Sequence, residues 1–346
     1  MVEVSDIKGD VMLDYTTTFR EKNILITGGL GFIGSNLAIK LVELGARIVL
    51  VDSLIPSYGG NLFNIEPVKD KVTINIADVR DEYSMVYLVK GQDYLFNLAG
   101  QTSHIDSMND PYTDMEINCR SQLSILEACR KHNPEIKIVF ASTRQIYGIP
   151  EYLPVDEKHP LHPTDVNGIN KMAGEWYHIL YNNVYGIRAC ALRLTNTYGP
   201  RMRIKDARQT FLGLWIRQVL EGEEIKVFGD GTQLRDFNYI DDTVEAFLIT
   251  ASSNEANGLI FNLGSTEYIS LRDLARLLIE INGKGTYEVV PFPPDRKKID
   301  IGSYYSNYEK IHKRLSWKPK VMLKHGLTST LEYYKKYRNR YQGQES

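Results

Sequence analysis

Gly28, Gly31 and Gly34 have the spacing of a loop that binds a dinucleotide, between a predicted strand, NILIT, and a predicted amphipathic helix. The first glycine permits a tight turn, the second lets the backbone approach a pyrophosphate, and the third lets helix and strand pack closely. The amino end of the helix offers N–H groups to the anion. A second predicted strand ends at Asp52, roughly 20 residues after the glycines. This is the position at which an acidic residue binds the ribose in loops of this kind. The alternative is a turn with ordinary glycines.

The Asp52 carboxylate also predicts which dinucleotide binds. It can accept hydrogen bonds from the ribose of NAD, and it would repel the 2′-phosphate of NADP. No arginine follows at once in the segment SLIPS. The sequence therefore favours NAD as cofactor.

The elements that must position this loop alternate between short β-branched runs and helical stretches from Asn23 onward. The strand candidates are NILIT, RIVLVD, KVTINIAD, YLFNLAG, KIVFAS and RACALRLTN, and the helix candidates include Phe32 to Leu44, Asp81 to Lys90 and Pro111 to His132. Strands that alternate with helices predict βαβ units. We expect an α/β fold with a Rossmann-type, doubly wound parallel sheet.

After Gly199-Pro200 the pattern changes to a helix near Phe211 to Glu221, the hairpin signal GDGTQ, a helix from Asp241, and the short strands IFNLG and TYEVV. This half predicts a smaller mixed α/β domain. The expected division is an N-terminal tail over 1–20, an NAD-binding domain over 21–200 and a predominantly substrate-binding domain over 201–346.

The composition of the chain limits the classes of partner that it can bind. The chain has 346 residues, 43% of them apolar, and a formal charge of −2 without long basic runs. Such a chain can bury a large core and has no electrostatic footprint for nucleic acid or an acidic membrane surface. The N-terminal segment, interrupted by acidic residues, lacks the basic and apolar regions of a secretion signal. We expect a cytoplasmic protein with a small-molecule ligand.

Disulfide and metal sites are not expected. Cys119, Cys129 and Cys190 are widely spaced and include no C-x-x-C pair, which argues against a disulfide framework or a zinc site. His159 and His162 lie in a proline-rich loop without carboxyl or thiol partners at ligand spacing. We interpret them as ordinary loop residues.

From about residue 22 to residue 338 the chain resembles the extended short-chain dehydrogenase/reductase family, the NAD-dependent nucleotide-sugar epimerases and dehydratases. The resemblance is carried by the motifs TGGLGFIG, Asp78-Val79, NLAG (97–100), ASTRQIYG (141–148), LRLTNTYGPR and GDGTQLRDFNYIDD. It implies that NAD is held by Gly28, Gly31, Phe32, Ile33, Gly34, Asp52, Asp78, Val79, Leu98, Ala99, Gly100 and Lys171. It implies that a nucleotide-diphosphate sugar is held by Thr143, Asn196, Arg235 and, with less regular spacing, Arg296.

The resemblance also implies transient oxidation of a sugar. In the family a tyrosinate takes a hydroxyl proton, a lysine four residues later lowers the tyrosine pKa, and a Ser or Thr, here Thr143, hydrogen-bonds the reacting oxygen. Lys171 matches the lysine, but Asn167 stands where the tyrosine belongs. Glu175 and Tyr181 follow Lys171 at the usual distances, so the register is fixed. An amide cannot be a general base.

Another group must therefore take the proton, or none does. His104, in the loop GQTSHIDSMNDP that aligns with the sugar-lining loop, is one candidate, because histidine titrates near neutral pH; the alternative is a hydrogen-bonded loop histidine. Tyr147 is the nearest phenol in sequence, or a packing residue. Arg144 and Gln145 replace the Asp-Glu pair of sugar 4,6-dehydratases, which disfavours that activity.

Two functional hypotheses follow. The first is an NAD-dependent nucleotide-sugar epimerase that acts through a transient keto-sugar, with Thr143, Asn167, Lys171 and His104 as catalytic residues. The second is a catalytically silent or non-epimerising (dehydrogenase or reductase) protein that binds NAD and a nucleotide sugar. The resemblance also implies a homodimer, in which the helix near 112–132 and the helix that carries Lys171 pair with their copies.

Overall fold

The computed structural model describes residues 15–55 and 58–341 and divides them into a large sheet with helices on its faces and a smaller mixed region. Its strands are β1 (Asn23–Thr27), β2 (Arg47–Asp52), β3 (Val72–Ile76), β4 (Tyr94–Asn97), β5 (Lys137–Thr143), β6 (Arg188–Leu194), β7 (Asn196–Tyr198), β8 (Ile225–Phe228), β9 (Leu234–Tyr239), β10 (Ile260–Asn262), β11 (Tyr268–Ser270) and β12 (Tyr287–Val290).

The helices connect these strands in chain order. They are α1 (Phe32–Glu43), α2 (Glu82–Leu88), α3 (His104–Asn109), α4 (Pro111–Met115), α5 (Ser121–His132), α6 (Val166–Tyr185), α7 (Phe211–Glu221), α8 (Ile240–Ser252), α9 (Leu271–Asn282), α10 (Pro294–Lys297), α11 (Glu309–Leu315) and α12 (Leu323–Tyr337). The single helix expected over 111–132 is thus α4 and α5, joined by a π-helical turn at Glu116–Arg120.

Seven parallel strands form the large sheet in the order β10-β6-β5-β4-β1-β2-β3. Its central strands are apolar on both faces, as in Ile24, Leu25 and Ile26, which are fully buried, because helices cover both sides of the sheet. Strand order reverses beside β1, and in such a sheet ligands bind in the crevice at the carboxyl ends of the strands next to the reversal. The predicted doubly wound fold is confirmed.

Two small sheets, β11-β9-β7 and β12-β8, lie apart from the large sheet, and β7 comes from the end of the predicted NAD-binding domain. The first mixes an antiparallel with a parallel pairing, and the second is parallel. The hairpin expected at GDGTQ is wrong: β8 and β9, which flank this segment, pair with strands of different sheets. The segment is a connection between sheets.

The two halves also share elements. After the small domain begins, α8 packs against α1 and β5, and β10 adds the edge strand to the large sheet beside β6. At the other end, residues 1–14 of the expected tail lie outside the described residues. Phe19, also assigned to that tail, is fully buried against Tyr94 and Phe96, so the packed part of the chain includes it. None of the helices within the described ranges is long and apolar enough to cross a bilayer.

Candidate active site

A cavity of about 650 Å³ opens at the carboxyl ends of the large-sheet strands and extends to the small domain. All of the site residues predicted from the sequence line it: Gly28, Gly31, Phe32, Ile33, Gly34, Asp52, Asp78, Val79, Leu98, Ala99, Gly100, His104, Thr143, Asn167, Lys171, Asn196, Arg235 and Arg296. Residues from the ends of six strands and from both halves of the chain therefore share one surface.

The glycine loop between β1 and α1 is shaped by space as well as by dihedral angle. Gly28 has φ +67°, which favours glycine. A Cβ on Gly34 would collide with the carbonyl oxygen of Gly28, whereas a Cβ on Gly31 would meet that oxygen at 3.2 Å and no other described atom within 4 Å. Gly34 thus serves helix packing, and Gly31 borders open space.

The amino end of α1 has the features of an anion-binding site. Gly31 is the N-cap, and no described side chain caps its first turn. The N–H groups of a first helical turn lack partners within the helix and carry partial positive charge. This cradle fits the pyrophosphate of a dinucleotide.

Two carboxylates hold the loops on the other side of the cradle. Asp52 accepts hydrogen bonds from the backbone N–H of Leu30 at 3.0 Å and of Leu54 at 2.9 Å; burial raises its pKa, although these two bonds oppose the shift. Asp78 pairs with Arg80 (Nη2 to Oδ2, 2.6 Å), and this bond lowers the pKa of Asp78. Asp78 also accepts from the backbone N–H and Nε of Arg80. A carboxylate has about four acceptor positions, so Asp52, with two donors, can still bind a ligand hydroxyl or amine.

Lys171 projects from α6 under the end of β4. Its Nζ donates to the carbonyl oxygen of Ala141 at 3.2 Å and lies 5.0 Å from the ring centroid of Phe140. A Cβ on Gly100 would come within 2.8 Å of that nitrogen. Burial lowers the pKa of Lys171 to about 8, although the charge of Asp114 opposes the shift.

Thr143 ends β5 on the same side of the cavity. Its Oγ1 accepts a hydrogen bond from the backbone N–H of Gln145 at 3.2 Å. A hydroxyl carries one proton and two acceptor positions. Its O–H can therefore donate to a ligand oxygen.

Asn167 is 3% exposed and belongs to a buried polar network around Asp114. Its Nδ2 donates to the carbonyl oxygen of Gln101 at 2.8 Å and to Oδ2 of Asp114 at 3.0 Å. Asp114, fully buried, also accepts from Asn170 at 2.8 Å and from Asn118 at 3.0 Å. Both N–H groups of Asn167 are thus engaged within the protein, which leaves its carbonyl oxygen as the atom suited to a ligand.

His104, at the start of α3, faces a carboxylate. Its Nδ1 lies 2.9 Å from Oδ2 of Asp165. Within the described chain, however, the ring N–H has no well-aligned acceptor, so the contact is close in distance but poorly aimed. Hydrogen bonds of this kind often align only when substrate is bound.

Asp165 is held rigidly. It caps the amino end of α6 by accepting from the Gly168 N–H at 2.7 Å, and it accepts from Nε2 of Gln145 at 2.8 Å. Burial opposes its ionisation, but His104 and these two donors outweigh burial and lower its pKa. Gln145, His104 and Asp165 therefore form one cluster beside Asn167.

Tyr147, the other candidate base, packs in the interior. It is fully buried and is not among the residues that line the cavity. Its hydroxyl donates to Oδ1 of Asn262 at 2.7 Å and accepts from Nη1 of Arg193 at 2.6 Å, and burial raises its pKa. This placement agrees with the packing role, whereas His104 lines the cavity.

The cationic end of the cavity comes from the second half of the chain. Arg235 is 6% exposed, donates to the carbonyl oxygens of Leu234 and Gly302, and lies 3.5 Å from Asp300. Burial lowers its pKa to about 10, so it is charged at neutral pH. The Arg296 guanidinium lies 5.4 Å from the Phe228 ring centroid.

Sequence reasoning missed Asp165 and Asp114. Asp165 had a signal, since an aspartate directly before an amphipathic helix is a typical N-cap. Asp114 had none, because it lies 53 residues from Asn167 in the chain and only the fold brings them together.

Comparison with known proteins agrees with this geometry. Residues 24–264 match the family described as "NAD dependent epimerase/dehydratase family". The chain belongs to that family.

The names of other members show that the family includes more than one reaction. A Methanocaldococcus jannaschii protein with the provisional name UDP-glucose 4-epimerase is 35% identical over 320 residues, 90% of this chain and 98% of that protein. UDP-glucuronic acid decarboxylase 1 of Xenopus tropicalis is 30% identical and covers 91% of this chain and 72% of its own length. The structure of the Thermotoga maritima UDP-glucose 4-epimerase with UDP-glucose is 32% identical, with a TM-score of 0.83, and covers 91% of this chain and 99% of that one.

These relatives carry out different reactions on nucleotide sugars. The family fixes the fold and NAD dependence but not the reaction, because its named members include epimerases, decarboxylases and dehydratases.

Proposed function

We propose that this family member is an NAD-dependent nucleotide-sugar epimerase in which His104 takes the part of the missing tyrosine. The observation that carries the proposal is the contact of His104 with Asp165 at the wall of the cavity, 2.9 Å between Nδ1 and Oδ2. A carboxylate on one ring nitrogen fixes the tautomer and stabilises the imidazolium that forms when the other nitrogen takes a proton. In this chain Asp165 supplies that carboxylate.

The residues present suit NAD. The first turn of α1 and the open space beside Gly31 would receive the pyrophosphate. Asp52 would accept from the adenosine ribose, Asp78 would contact the adenine, and Lys171 would hold the nicotinamide ribose. Bound NAD would accept a hydride from the sugar carbon and return it.

The nucleotide sugar lies across the other half of the cavity. Arg235 and Arg296 bind its diphosphate and Asn196 contacts it, because these three line the small-domain side and guanidinium groups bind phosphate oxygens well. Thr143 donates to the reacting oxygen. The sugar then lies between Thr143 and His104.

The proton moves from the sugar hydroxyl to Nε2 of neutral His104, while Nδ1–H turns toward Asp165. The carbon–oxygen bond becomes a carbonyl as the carbon loses its hydride, so one proton and one hydride leave the alcohol. Reduction on the opposite face, with the proton returned, gives the epimer. Asn167 orients the hydroxyl through its carbonyl oxygen.

The test is turnover. The purified protein, loaded with NAD, is incubated separately with UDP-glucose, UDP-N-acetylglucosamine and UDP-glucuronate, and NMR spectra of the sugar are followed with the reduced-nicotinamide absorbance. Formation of a 4-epimer supports the proposal. A keto-sugar with stoichiometric reduced cofactor indicates a dehydrogenase instead.

The second candidate is a binding protein without turnover. It is favoured by one observation: Asn167 has both N–H groups engaged by Gln101 and Asp114, as in a purely structural residue. Tight binding of NAD and of a nucleotide sugar without any product would support this candidate over the epimerase.

We also infer a homodimer from an exposed apolar face of α6. Ile169, Trp176, Leu180 and Val184 are each between 50% and 59% exposed, and their spacing of 7, 4 and 4 residues puts them on one side of the helix. Tyr112 of α4 is 76% exposed as well. Burial of such a stripe against its copy would stabilise the pair.

A further inference from the structure

Arg144 is a cavity residue that the proposed mechanism does not use. It follows Thr143 directly, at the start of a short 3-10 turn at Arg144–Tyr147, and it lines the cavity. Its guanidinium carbon lies 5.2 Å from the ring centroid of Tyr304, and its Nη2 donates to Oδ1 of Asn196 at 3.1 Å. The side chain is thus held in place by an aromatic ring and an amide.

No carboxylate forms an ion pair with Arg144 within the described residues, and its Nη1 is buried without a hydrogen-bond acceptor. The charges of Asp236, Asp300 and Asp165 favour the charged guanidinium from a greater distance. Asp236 is already bound by the hydroxyl of Thr195. A desolvated guanidinium without a paired carboxylate costs free energy that a bound anion would recover.

Arg235 and Arg208, which also line the cavity, already have partners within the protein. Arg235 donates to two carbonyl oxygens and lies near Asp300, and Arg208 pairs with Asp106 at 3.2 Å. Arg235 and Arg296 already serve the diphosphate in the proposed function. Arg144 instead adjoins Thr143, the residue assigned to the reacting oxygen, so its ligand should belong to the sugar.

We propose that Arg144 binds a carboxylate on the sugar ring, so that the substrate is a nucleotide-linked uronic acid. A planar guanidinium binds a carboxylate through two parallel hydrogen bonds, a geometry that neutral sugar hydroxyls cannot match. This specificity rests on the proposed function, because it requires a nucleotide sugar in the cavity. It adds a residue that selects among such sugars.

Calorimetric titration of the full-length protein with UDP, UDP-glucose and UDP-glucuronate tests the proposal. The unmodified protein should bind UDP-glucuronate about 10- to 100-fold more tightly than UDP-glucose, the range expected for hydrogen bonds to a charged group. Arg144→Gln should abolish this preference and change UDP affinity by less than about twofold, since the glutamine keeps an N–H donor for Asn196 and loses only the charged fork for the carboxylate. Arg144→Lys should keep part of the preference, because charge remains without the fork.

Arg208→Gln is the matched control, since it removes a cavity-lining guanidinium that already has a carboxylate partner; the uronate preference should survive it. Thermal melting of each variant reports whether it is folded. A preference that persists in folded Arg144→Gln overturns the proposal, as does an equal loss of affinity for UDP itself, which would place Arg144 on the diphosphate.

Failure of the proposed function gives a different result. If the unmodified protein binds none of UDP, dTDP, GDP and CDP, both proposals are overturned. If it binds UDP and UDP-glucose but does not prefer UDP-glucuronate, only the role of Arg144 is overturned.

Discussion

Nδ1 of His104 lies 2.9 Å from Oδ2 of Asp165, and the same carboxylate caps the helix that carries Asn167 and Lys171. One aspartate thus links the loop that carries His104 to the helix that carries Asn167. Gln145, which replaces an acid of the 4,6-dehydratases, donates to that aspartate at 2.8 Å. The departures of this chain from its family are therefore neighbours in space.

Replacement of His104 by alanine should lower turnover by roughly 10²- to 10⁴-fold, the usual contribution of a general base. NAD affinity should be unchanged, since the cofactor contacts lie elsewhere in the cavity. Steady-state rates from pH 6 to pH 9 and NAD titration measure the two effects. Full activity across this pH range would assign His104 to an ordinary loop role.

Asp165→Asn tests the positioning role of the carboxylate. The amide keeps an oxygen for the Gly168 N–H but loses the charge that stabilises the imidazolium, so kcat should fall by about 10-fold or more while KM changes little. A melting temperature close to that of the parent separates this effect from misfolding, because the amide still caps the helix. An unchanged kcat in the folded variant would contradict the pairing.

The glycine loop should control cofactor binding. Gly31→Val puts a branched side chain into the open space where the pyrophosphate must approach, so NAD affinity should fall by at least about 10-fold, a modest loss for a blocked phosphate contact. The variant should still fold, because little of the protein surrounds this position. Fluorescence titration with NAD measures the loss, and equal affinity would remove this account of the site.

Asp52→Ala should weaken NAD binding and improve NADP binding relative to it, since the charge that repels a 2′-phosphate is gone. Asp52→Asn is the matched control, because an amide oxygen can still accept from one of the N–H groups of Leu30 and Leu54. Both variants should shift the NAD to NADP preference. If neither does, Asp52 serves only the loop.

The lowered pKa of Lys171 predicts that the free energy of unfolding depends on pH. Its pKa is lowered from 10.5 to about 8 by burial. Below pH 8 the Lys171 amine is protonated in both the folded and the unfolded chain, so the free-energy cost of burying its charge is present in full. Between pH 8 and 10.5 the folded protein releases it first, so the free energy of unfolding should rise with pH, by at most about 1.4 kcal/mol per pH unit from this group.

Urea unfolding of the parent and of Lys171→Met across this window measures the contribution as a difference. The variant has no titrating amine at this position. Groups elsewhere that titrate in alkaline solution contribute equally to both proteins and cancel in the difference. Parallel curves for the two proteins would show that Lys171 titrates normally.

Trp176→Glu should produce a monomer, because a charge in the centre of the apolar face of α6 opposes its burial against a copy. Light scattering at micromolar protein concentration measures the mass. Met322→Glu, which alters an equally exposed residue at the start of α12, is the control. A parent protein with monomer mass would contradict the inferred dimer directly.

The sequence predicted the parallel sheet and the positions of the glycine loop well, because both depend on local patterns: β-branched runs, helical periodicity and glycine spacing. It could not show that GDGTQ joins two sheets, because strand pairing in this region is nonlocal. For the same reason it assigned β10 to the small domain, although Phe261 and Asn262 pair with Leu192 and Arg193 of the large sheet.

The residues that match the family line one cavity, as their sequence positions predict, but contacts between pairs of residues were not predictable. His104 was a candidate from its position, but its partner Asp165 lies 61 residues later in the chain. Arg144 was identified as a departure, yet the lack of a hydrogen-bond acceptor for its Nη1 is a property of the folded cavity. Pairings between distant residues depend on the tertiary structure, so a single sequence does not determine them.

Restoration of the family tyrosine is the sharpest test of a displaced base. In the His104→Ala background, Asn167→Tyr should recover part of the lost turnover, because the positive charge of nearby Lys171 lowers the pKa of a phenol at this position. Recovery should be incomplete, since the change removes one donor from buried Asp114 and leaves it with Asn118 and Asn170. Asn167→Phe in the same background is the matched control: it has the ring without the hydroxyl, so steady-state rates that are equal for the tyrosine and phenylalanine variants would show that this position no longer supports proton transfer.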